Sequence, residues 1–164
     1  TAIIGVGARE VVDAVDSADG AVVAANFNTP RQTVISGEKG AMEAVVGRVG
    51  GKKRRLDVAG AFHSPLMQRA ALAMDALLAE VSLKDPTIPM ISGIDGAVLA
   101  KADDVRLALR DQMLSPVQWV AVVERLAALG VGEVVEAGEG TLVRMLRDFK
   151  DVEIRGRAAR EVLA

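Results

Sequence analysis

His63 is the residue in this chain best suited to chemistry, because it is the only histidine among 164 residues. It follows Ala61 and Phe62, at the point where a strand-like run gives way to a helix. Ser64 is a favourable N-cap and Pro65 a favourable first helical residue, so His63 is expected just outside the positive end of that helix. The field there disfavours the imidazolium, and a general base must be neutral. A single histidine can also be a structural residue, and position alone leaves both roles open.

Several motifs elsewhere in the chain bear on this choice. Residues 61–67 are AFHSPLM, and residues 115–119 are SPVQW. Residues 26–30 are NFNTP, residues 32–37 are QTVISG, and residues 135–140 are VEAGEG. In order and in approximate spacing, this combination resembles the malonyl-CoA:acyl carrier protein transacylases and the acyltransferase domains of polyketide synthases. The resemblance extends over nearly the whole chain.

The resemblance implies a serine that carries the malonyl group and a histidine that acts as its base. His63 is the expected base. The family orients that histidine with a backbone carbonyl at the position that matches Gln118 here. Residues 115–118 also have the pattern of a helix capping box, so Gln118 has a structural interpretation beside the catalytic one.

Two further residues are expected to contact the substrate. Phe62 precedes the base, and in polyketide acyltransferases an Ala-Phe-His sequence accompanies malonyl units, since a bulky ring leaves no room for an α-methyl branch. Asn28 matches a family asparagine that lines the cleft between two subdomains. Each has a structural alternative, because Phe62 could be a core residue and Asn28 a turn residue beside Thr29 and Pro30.

One part of the family pattern is missing from this chain. The family's serine lies in a Gly-x-Ser-x-Gly elbow, and no serine here has glycines at both of those positions. The elbow also precedes the histidine by more residues than this chain has ahead of His63. We therefore expect the chain to be the C-terminal half of such an enzyme, with the missing N-terminal half as its partner. Alone, it is expected to be incomplete and inactive.

The composition excludes several other classes of protein. Hydrophobic residues make up 51% of the chain but aromatic residues only 2%, so the core must be built from aliphatic side chains. A formal net charge of -2 gives no support for nucleic-acid binding, and no apolar run has the length of a membrane span. The absence of cysteine fits a reduced, cytoplasmic compartment. Neither a metal nor an organic cofactor is implied, and the expected partners are malonyl-CoA and acyl carrier protein.

Two basic runs and one glycine pair each allow two interpretations. The basic runs are residues 52–55 and the group Arg155, Arg157 and Arg160. They are either solvated surface or a binding surface for an acidic partner or for the phosphates of coenzyme A.

Gly138 and Gly140 follow a strand as in a phosphate loop, but a third glycine is missing and Glu139 would repel an anion. A dinucleotide site is therefore rejected.

Hydrophobic periodicity divides the chain into two parts and predicts an α/β protein. Residues 1–58 have the order strand, helix, strand, strand, helix, strand, which is the ferredoxin-like arrangement. The predicted strands are 2–6, 21–26, 32–36 and 54–58, and the predicted helices are 9–15 and 38–49. At most alternate members of the run 52–55 can then face one partner together, because successive strand residues point to opposite faces.

Residues 59–164 have longer helices that alternate with short strands. The predicted helices are 66–81, 105–114, 117–129 and 141–149, and the predicted strands are 90–92, 97–99 and 132–136. The resemblance implies that this part is the C-terminal part of an α/β-hydrolase-like acyltransferase subdomain, which would complete a parallel sheet. No element is predicted beyond residue 152.

These observations predict that the chain takes part in moving malonyl from malonyl-CoA to acyl carrier protein, through a serine-bound intermediate, in fatty acid or polyketide synthesis. The alternative is a ferredoxin-like ligand-binding or regulatory module, or a carrier-protein docking module, without catalysis. Such a regulatory module gives no reason for the His63 and Gln118 motifs to occur together.

Overall fold

Four strands and two helices alternate along residues 2–54 of the computed structural model, which describes residues 1–162 of the chain. The strands are β1 (Ala2–Ile4), β2 (Val22–Thr29), β3 (Gln32–Gly37) and β4 (Lys52–Arg54), and the helices are α1 (Ala8–Asp16) and α2 (Lys39–Arg48). All neighbouring strands pair antiparallel, in the order β2-β3-β1-β4. The elements follow one another in the order that the periodicity predicts, and the protein is of the mixed α/β class.

The two faces of this sheet have different neighbours. Residues directly opposite each other in antiparallel strands point to the same face. Ile3 and Thr33 therefore share one face, and Ala2 and Val34 share the other. Helices α1 and α2 cover the first face, where the buried apolar residues are Ile3, Val11, Val22, Ile35, Ala41, Val45 and Val49. The second face is left for the remainder of the chain.

Strand β4 occupies residues 52–54, which differs from the predicted 54–58. The turn before it contains Gly51 in the left-handed region, with φ of 74°, where a Cβ would lie 2.4 Å from the carbonyl oxygen of Ile4. Pairing with β1 starts directly after this turn and ends where Arg54 is opposite Ala2. The predicted bounds of this strand are wrong because the length and position of the partner strand, and not local propensity, determine where β4 ends.

The C-terminal part contains short strands and several helices. They are α3 (Gln68–Glu80), β5 (Met90–Ile91), β6 (Val98–Leu99), α4 (Ala102–Asp111), α5 (Trp119–Ala128), β7 (Glu133–Glu136), α6 (Thr141–Met145), β8 (Arg155–Ala158) and α7 (Ala159–Val162). Strands β5 and β6 form an antiparallel hairpin around Asp95 and Gly96, and β7 pairs parallel with β8. A second apolar core, formed by Val123, Leu146 and Phe149, lies in this part.

Two features of the C-terminal part differ from the sequence prediction. Strand β8 and helix α7 lie beyond residue 152, where no element is predicted. Gly156 explains the close packing there, because a Cβ at this position would lie only 2.6 Å from Cβ of Val143 in α6. Helix α3 has the bounds 68–80 in place of the predicted 66–81, and along it Ala71 and Leu78 are buried whereas Leu77 is 64% exposed.

Within residues 1–162, one isolated parallel bridge joins the first sheet to the C-terminal part. The N–H of Phe27 donates to the carbonyl of Val117, and the N–H of Val117 donates to the carbonyl of Ala25, both at 2.8 Å. This extended backbone delays the start of α5 to Trp119, two residues after the predicted start. The bridge connects β2 to the segment between α4 and α5.

Within residues 1–162, no helix combines the length and the apolar character needed to cross a membrane.

Candidate functional site

A tight loop holds the backbone of His63 in an uncommon conformation. Its φ is 60°, and within residues 1–162 it is the only non-glycine residue with a positive φ. Ser64 is fully buried; its hydroxyl donates to the carbonyl of Ala61 at 2.6 Å and accepts from the N–H of Leu66 at 3.3 Å. Ser64 caps a single 3-10 turn whose first residue is Pro65, which confirms the predicted helix start. These bonds fix the loop from which the imidazole projects.

Two backbone carbonyls hold the imidazole ring of His63. Its Nδ1 lies 2.9 Å from the carbonyl oxygen of Gln112 and 3.1 Å from that of Ser115. Because both partners can only accept, Nδ1 must carry a hydrogen, and in the neutral ring Nε2 is then the nitrogen with an available lone pair. This is the tautomer that a neutral general base requires.

The structure does not place Gln118 at the imidazole. The carbonyl of Gln118 instead accepts from the N–H of Val122 in the first turn of α5, and its own N–H donates to Gly93. Gln118 is also the N-cap of α5 without a side-chain cap bond, so the capping box predicted for residues 115–118 is wrong. The extended backbone at Val117 moves the helix start to Trp119, which removes the capping role expected for Gln118.

Sequence reasoning missed Gln112 and Ser115, although a signal for them exists. Gln112 is the C-cap of α4, and the last carbonyls of a helix have no partner within the helix. A carbonyl that can accept a hydrogen bond from a histidine is therefore more readily available at the end of a helix than at its start. The predicted helix 105–114 already contained this position.

His63 lies between two cavities. One has a volume of about 270 Å³ and is lined by Phe62 and Arg55 together with residues of β2 and β3. The other, about 170 Å³, is lined mainly by apolar side chains of the β5-β6 hairpin and α4, with Gln112 beside the ring. Phe62 is 45% exposed and lines the first cavity next to the imidazole, so these two predicted site residues share one cavity.

Asn28 lies apart from His63. It lines a third cavity, of about 530 Å³, together with Arg54, Arg144 and Arg147. The turn role considered for Asn28 belongs to its neighbour, because the buried hydroxyl of Thr29 accepts from the N–H of Arg31 at 3.2 Å. Asn28 is thus a cavity residue, in a different cavity from that of the histidine.

The glycine pair after β7 closes around a carboxylate of the chain itself. Glu136 accepts from the N–H groups of Thr141, Leu142 and Val143, the first residues of α6, at 2.8 to 3.1 Å. Burial raises the pKa of Glu136, but these backbone donors lower it and prevail, so that the pKa lies below its ordinary value. The backbone N–H groups that would bind the phosphate in a phosphate loop are therefore already hydrogen-bonded to Glu136.

No group of three or more His, Cys, Asp or Glu side chains within residues 1–162 is arranged to hold a metal ion.

Comparisons with known proteins place the geometry in context. No family model matches the chain. The malonyl CoA-acyl carrier protein transacylase of Haemophilus influenzae is 36% identical over 151 residues, which cover 88% of this chain and 48% of that protein. The crystal structure of an acyl carrier protein S-malonyltransferase from Vibrio cholerae superimposes with a TM-score of 0.89 at 31% identity, over 99% of this chain and 57% of that one.

A second solved structure, a malonyl-transacylase in complex with its type II polyketide synthase acyl-carrier protein, has a TM-score of 0.90 at 28% identity. The match covers 96% of this chain and 53% of that chain. The chain spans about half the length of the curated relatives that it matches.

Proposed function

Because the chain belongs to the malonyl CoA-acyl carrier protein transacylase family, we propose that it supplies the histidine base for moving malonyl from malonyl-CoA to acyl carrier protein. One observation carries the proposal. The carbonyls of Gln112 and Ser115 hold Nδ1 of His63 in the protonated form, beside a cavity, and leave Nε2 as the proton acceptor. A regulatory module has no need of an imidazole fixed in one tautomer.

The proposed reaction has two half-reactions with the same proton route. In the first, Nε2 of His63 takes the proton of a serine hydroxyl while the serine oxygen attacks the thioester carbonyl of malonyl-CoA. The proton then passes to the departing sulfur, which gives free coenzyme A and a malonyl-serine ester. In the second, Nε2 takes the proton of the carrier's pantetheine thiol, and the sulfur attacks the ester. Returning that proton to the serine oxygen restores the enzyme.

The nucleophilic serine of this scheme comes from outside the chain, since no serine here lies in the elbow pattern. We propose that the N-terminal half of the enzyme provides it, and that this chain alone is inactive. Exposed apolar side chains support such a partner, because Leu72, Leu77 and Ile88 are 61%, 64% and 77% exposed in the C-terminal part. Incubating the chain alone with malonyl-CoA and carrier protein should give no malonyl-carrier by intact mass.

The proposal includes a division into two subdomains. Residues 1–58 would be the ferredoxin-like subdomain, and the alternation of antiparallel strands in the order β2-β3-β1-β4 with two helices on one face supports this. Residues 59–164 would be the C-terminal part of the α/β-hydrolase-like subdomain, which the parallel pair β7 and β8 supports. His63 lies shortly after this boundary, and residues of both parts line its cavity.

A chimera tests the proposed function. The C-terminal half of the Haemophilus influenzae transacylase is replaced by this chain, and malonyl-carrier formation is followed by mass spectrometry. The chimera should be active, and His63→Asn should reduce its rate by a factor on the order of 100 or more, the usual contribution of a positioned acid-base group. Asparagine is chosen because it tolerates a positive φ better than alanine.

Gln118→Ala is the matched control, since the structure gives its side chain no cap bond and no place at the imidazole. Its rate should stay close to that of the parent chimera. Transfer by the His63→Asn chimera at the parent rate, with the protein folded, would overturn the proposal.

A further inference from the structure

The cavity that contains Asn28 lies between the first sheet and the C-terminal part. It has a volume of about 530 Å³, and the sheet side is the face opposite α1 and α2. The other side is formed by α6 and the 3-10 turn that follows it. We call it the arginine cleft, because its lining includes Arg54, Arg144 and Arg147.

The register of the sheet explains why Arg54 faces this cleft. Arg54 is directly opposite Ala2, so both point to the open face. Lys53 is opposite Ile3 and points to the helix-covered face, where its Nζ donates to the carbonyl of Val49 at 2.5 Å. Because strand side chains alternate between the two faces, Arg54 faces the cleft and Lys53 faces the helices.

The positive charge of the cleft is only partly neutralised. The guanidinium of Arg144 donates to the carbonyl of Glu139 and to the hydroxyl of Thr141, which are neutral acceptors that fix the group without cancelling its charge. Among residues 1–162, neither Arg54 nor Arg144 makes an ion pair. The single carboxylate in the lining, Asp148, lies 4.0 Å from Nε of Arg147. Three guanidinium groups thus face one carboxylate.

We propose that the arginine cleft binds the phosphate groups attached to the pantetheine arm of the thioester substrates, an inference that rests on the proposed function. A guanidinium presents paired donors that match phosphate oxygens, and three of them around one cavity favour a dense anion. The neutral polar side chains of Asn28, Gln32 and Thr141 line the same space and suit the uncharged polar groups next to such a phosphate.

The arginine cleft adjoins the cavity of His63, and this supports the phosphates of the thioester substrates as the ligand over an unrelated anion. Val34 and Leu56 line both the arginine cleft and the cavity that contains His63. A ligand with a thioester at one end and a phosphate at the other, joined by an uncharged arm, can therefore occupy both cavities across these two apolar residues. The same phosphate chemistry is present in free coenzyme A and in the phosphopantetheine of a carrier protein.

The test measures binding to the chain itself by isothermal titration calorimetry, with coenzyme A, inorganic pyrophosphate and pantetheine as separate probes. Coenzyme A should bind, pyrophosphate should compete with it, and pantetheine, which has no phosphate, should bind at least tenfold more weakly. Arg54→Gln and Arg144→Gln should each weaken coenzyme A binding roughly tenfold or more, since a hydrogen bond to a charged group has that effect. Two variants are used so that a folding defect in one leaves the other informative.

Arg9→Gln is the matched control, because Arg9 lies on α1, on the helix-covered side, with its side chain 89% exposed. It should bind coenzyme A as the parent does. Equal binding of pantetheine and coenzyme A would overturn the proposal, as would folded Arg54→Gln and Arg144→Gln variants that both bind like the parent.

Competition by carrier proteins identifies the source of the phosphate. If phosphopantetheinylated carrier displaces coenzyme A and carrier without the arm does not, the cleft serves both substrates; if neither displaces it, the cleft serves the free coenzyme. The binding test can be distinguished from the test of the proposed function, because His63→Asn should reduce malonyl transfer but leave pyrophosphate binding unchanged. An inactive chimera with intact, arginine-dependent pyrophosphate binding would refute the transfer function and leave the cleft as an anion site.

Discussion

At the scale of single residues, His63 combines a strained backbone with a well-held ring. A left-handed conformation costs a non-glycine residue roughly 1–2 kcal/mol. The buried hydroxyl of Ser64 compensates for it by joining Ala61 to Leu66 across the loop. The side chain next to His63 thus maintains the backbone conformation of His63, whereas sequence position alone predicts only a helix cap for Ser64.

Ser64→Ala tests this dependence. The substitution leaves the Leu66 N–H and the Ala61 carbonyl without their partner, and we expect a loss of about 1–3 kcal/mol in the free energy of unfolding. Urea unfolding of the chain measures it. Ser17→Ala is the control, because the hydroxyl of Ser17 donates to the Asp13 carbonyl at an exposed position and its loss should have little effect. Equal stabilities for the two variants would contradict the assigned role of Ser64.

Phe62→Ser tests the expected specificity. Phe62 lines the cavity of His63, and a smaller side chain leaves space for an α-methyl branch. In the chimera, methylmalonyl transfer should rise relative to malonyl transfer by roughly tenfold to two-hundredfold, since one methyl group in a pocket has an effect of about 1–3 kcal/mol. Direct competition between the two thioesters gives the ratio. An unchanged ratio would mean that Phe62 lines the cavity but does not select between malonyl and methylmalonyl groups.

At the scale of elements, Glu136 fixes the start of α6 and with it the position of Arg144. Because folding lowers the pKa of Glu136 below its ordinary value of 4.5, its carboxylate stabilises the fold above that value, and this contribution is lost as the pH falls through the folded-state pKa. At pH 7, Glu136→Gln should therefore lower the free energy of unfolding by about 1 kcal/mol, the usual upper effect of a carboxylate at the N-terminus of a surface helix.

The difference between parent and Glu136→Gln should shrink as the pH is lowered below 4.5, because the parent then loses the same charge. Urea unfolding at a series of pH values measures it. Glu139→Gln is the control in the same loop, since Glu139 is 89% exposed and lies 3.8 Å from Arg160. A pH-independent difference would mean that the charge of Glu136 does not contribute.

The element boundaries show what could be predicted from the sequence and what could not. The helix start at Ser64 and Pro65 is local chemistry, and it was predictable. The position of β4 depends on β1, and the start of α5 depends on the bridge from β2 to Val117, which are contacts distant in sequence. The expectation that Gln118 orients the imidazole comes from the family resemblance, whereas the carbonyls that hold the ring are those of Gln112 and Ser115, which follow α4.

At the scale of the whole molecule, the distribution of charge matters more than the formal net charge of -2. Lys53 of the basic run is engaged on the helix-covered face, so it is a poor candidate for contact with an acidic partner. Lys52 and Arg55 are exposed, and Arg55 lines the cavity of His63. Within residues 52–55, Lys53 therefore makes a structural contact, whereas Arg55 lies at the surface beside the candidate site.

Lys52→Glu combined with Arg55→Glu should raise the KM of the chimera for carrier protein at low salt and change the KM for malonyl-CoA less. Exposed charges mainly speed the encounter with an acidic protein, and salt screens them. Both constants are measured across a salt series. Arg9→Glu with Lys39→Glu is the control for an equal change of charge on the helix-covered side. A salt-independent or equal effect on both constants would leave residues 52–55 as ordinary surface.

The bridge between Asn26 and Val117 links the first sheet to the orientation of the imidazole. Val117 follows closely on Ser115, whose carbonyl holds the imidazole, and Asn26 lines the cavity of His63. The contact that joins the two parts of the molecule and one of the carbonyls that orient the ring therefore belong to the same short segment. A substitution that breaks the bridge is expected to disturb the orientation of the imidazole as well.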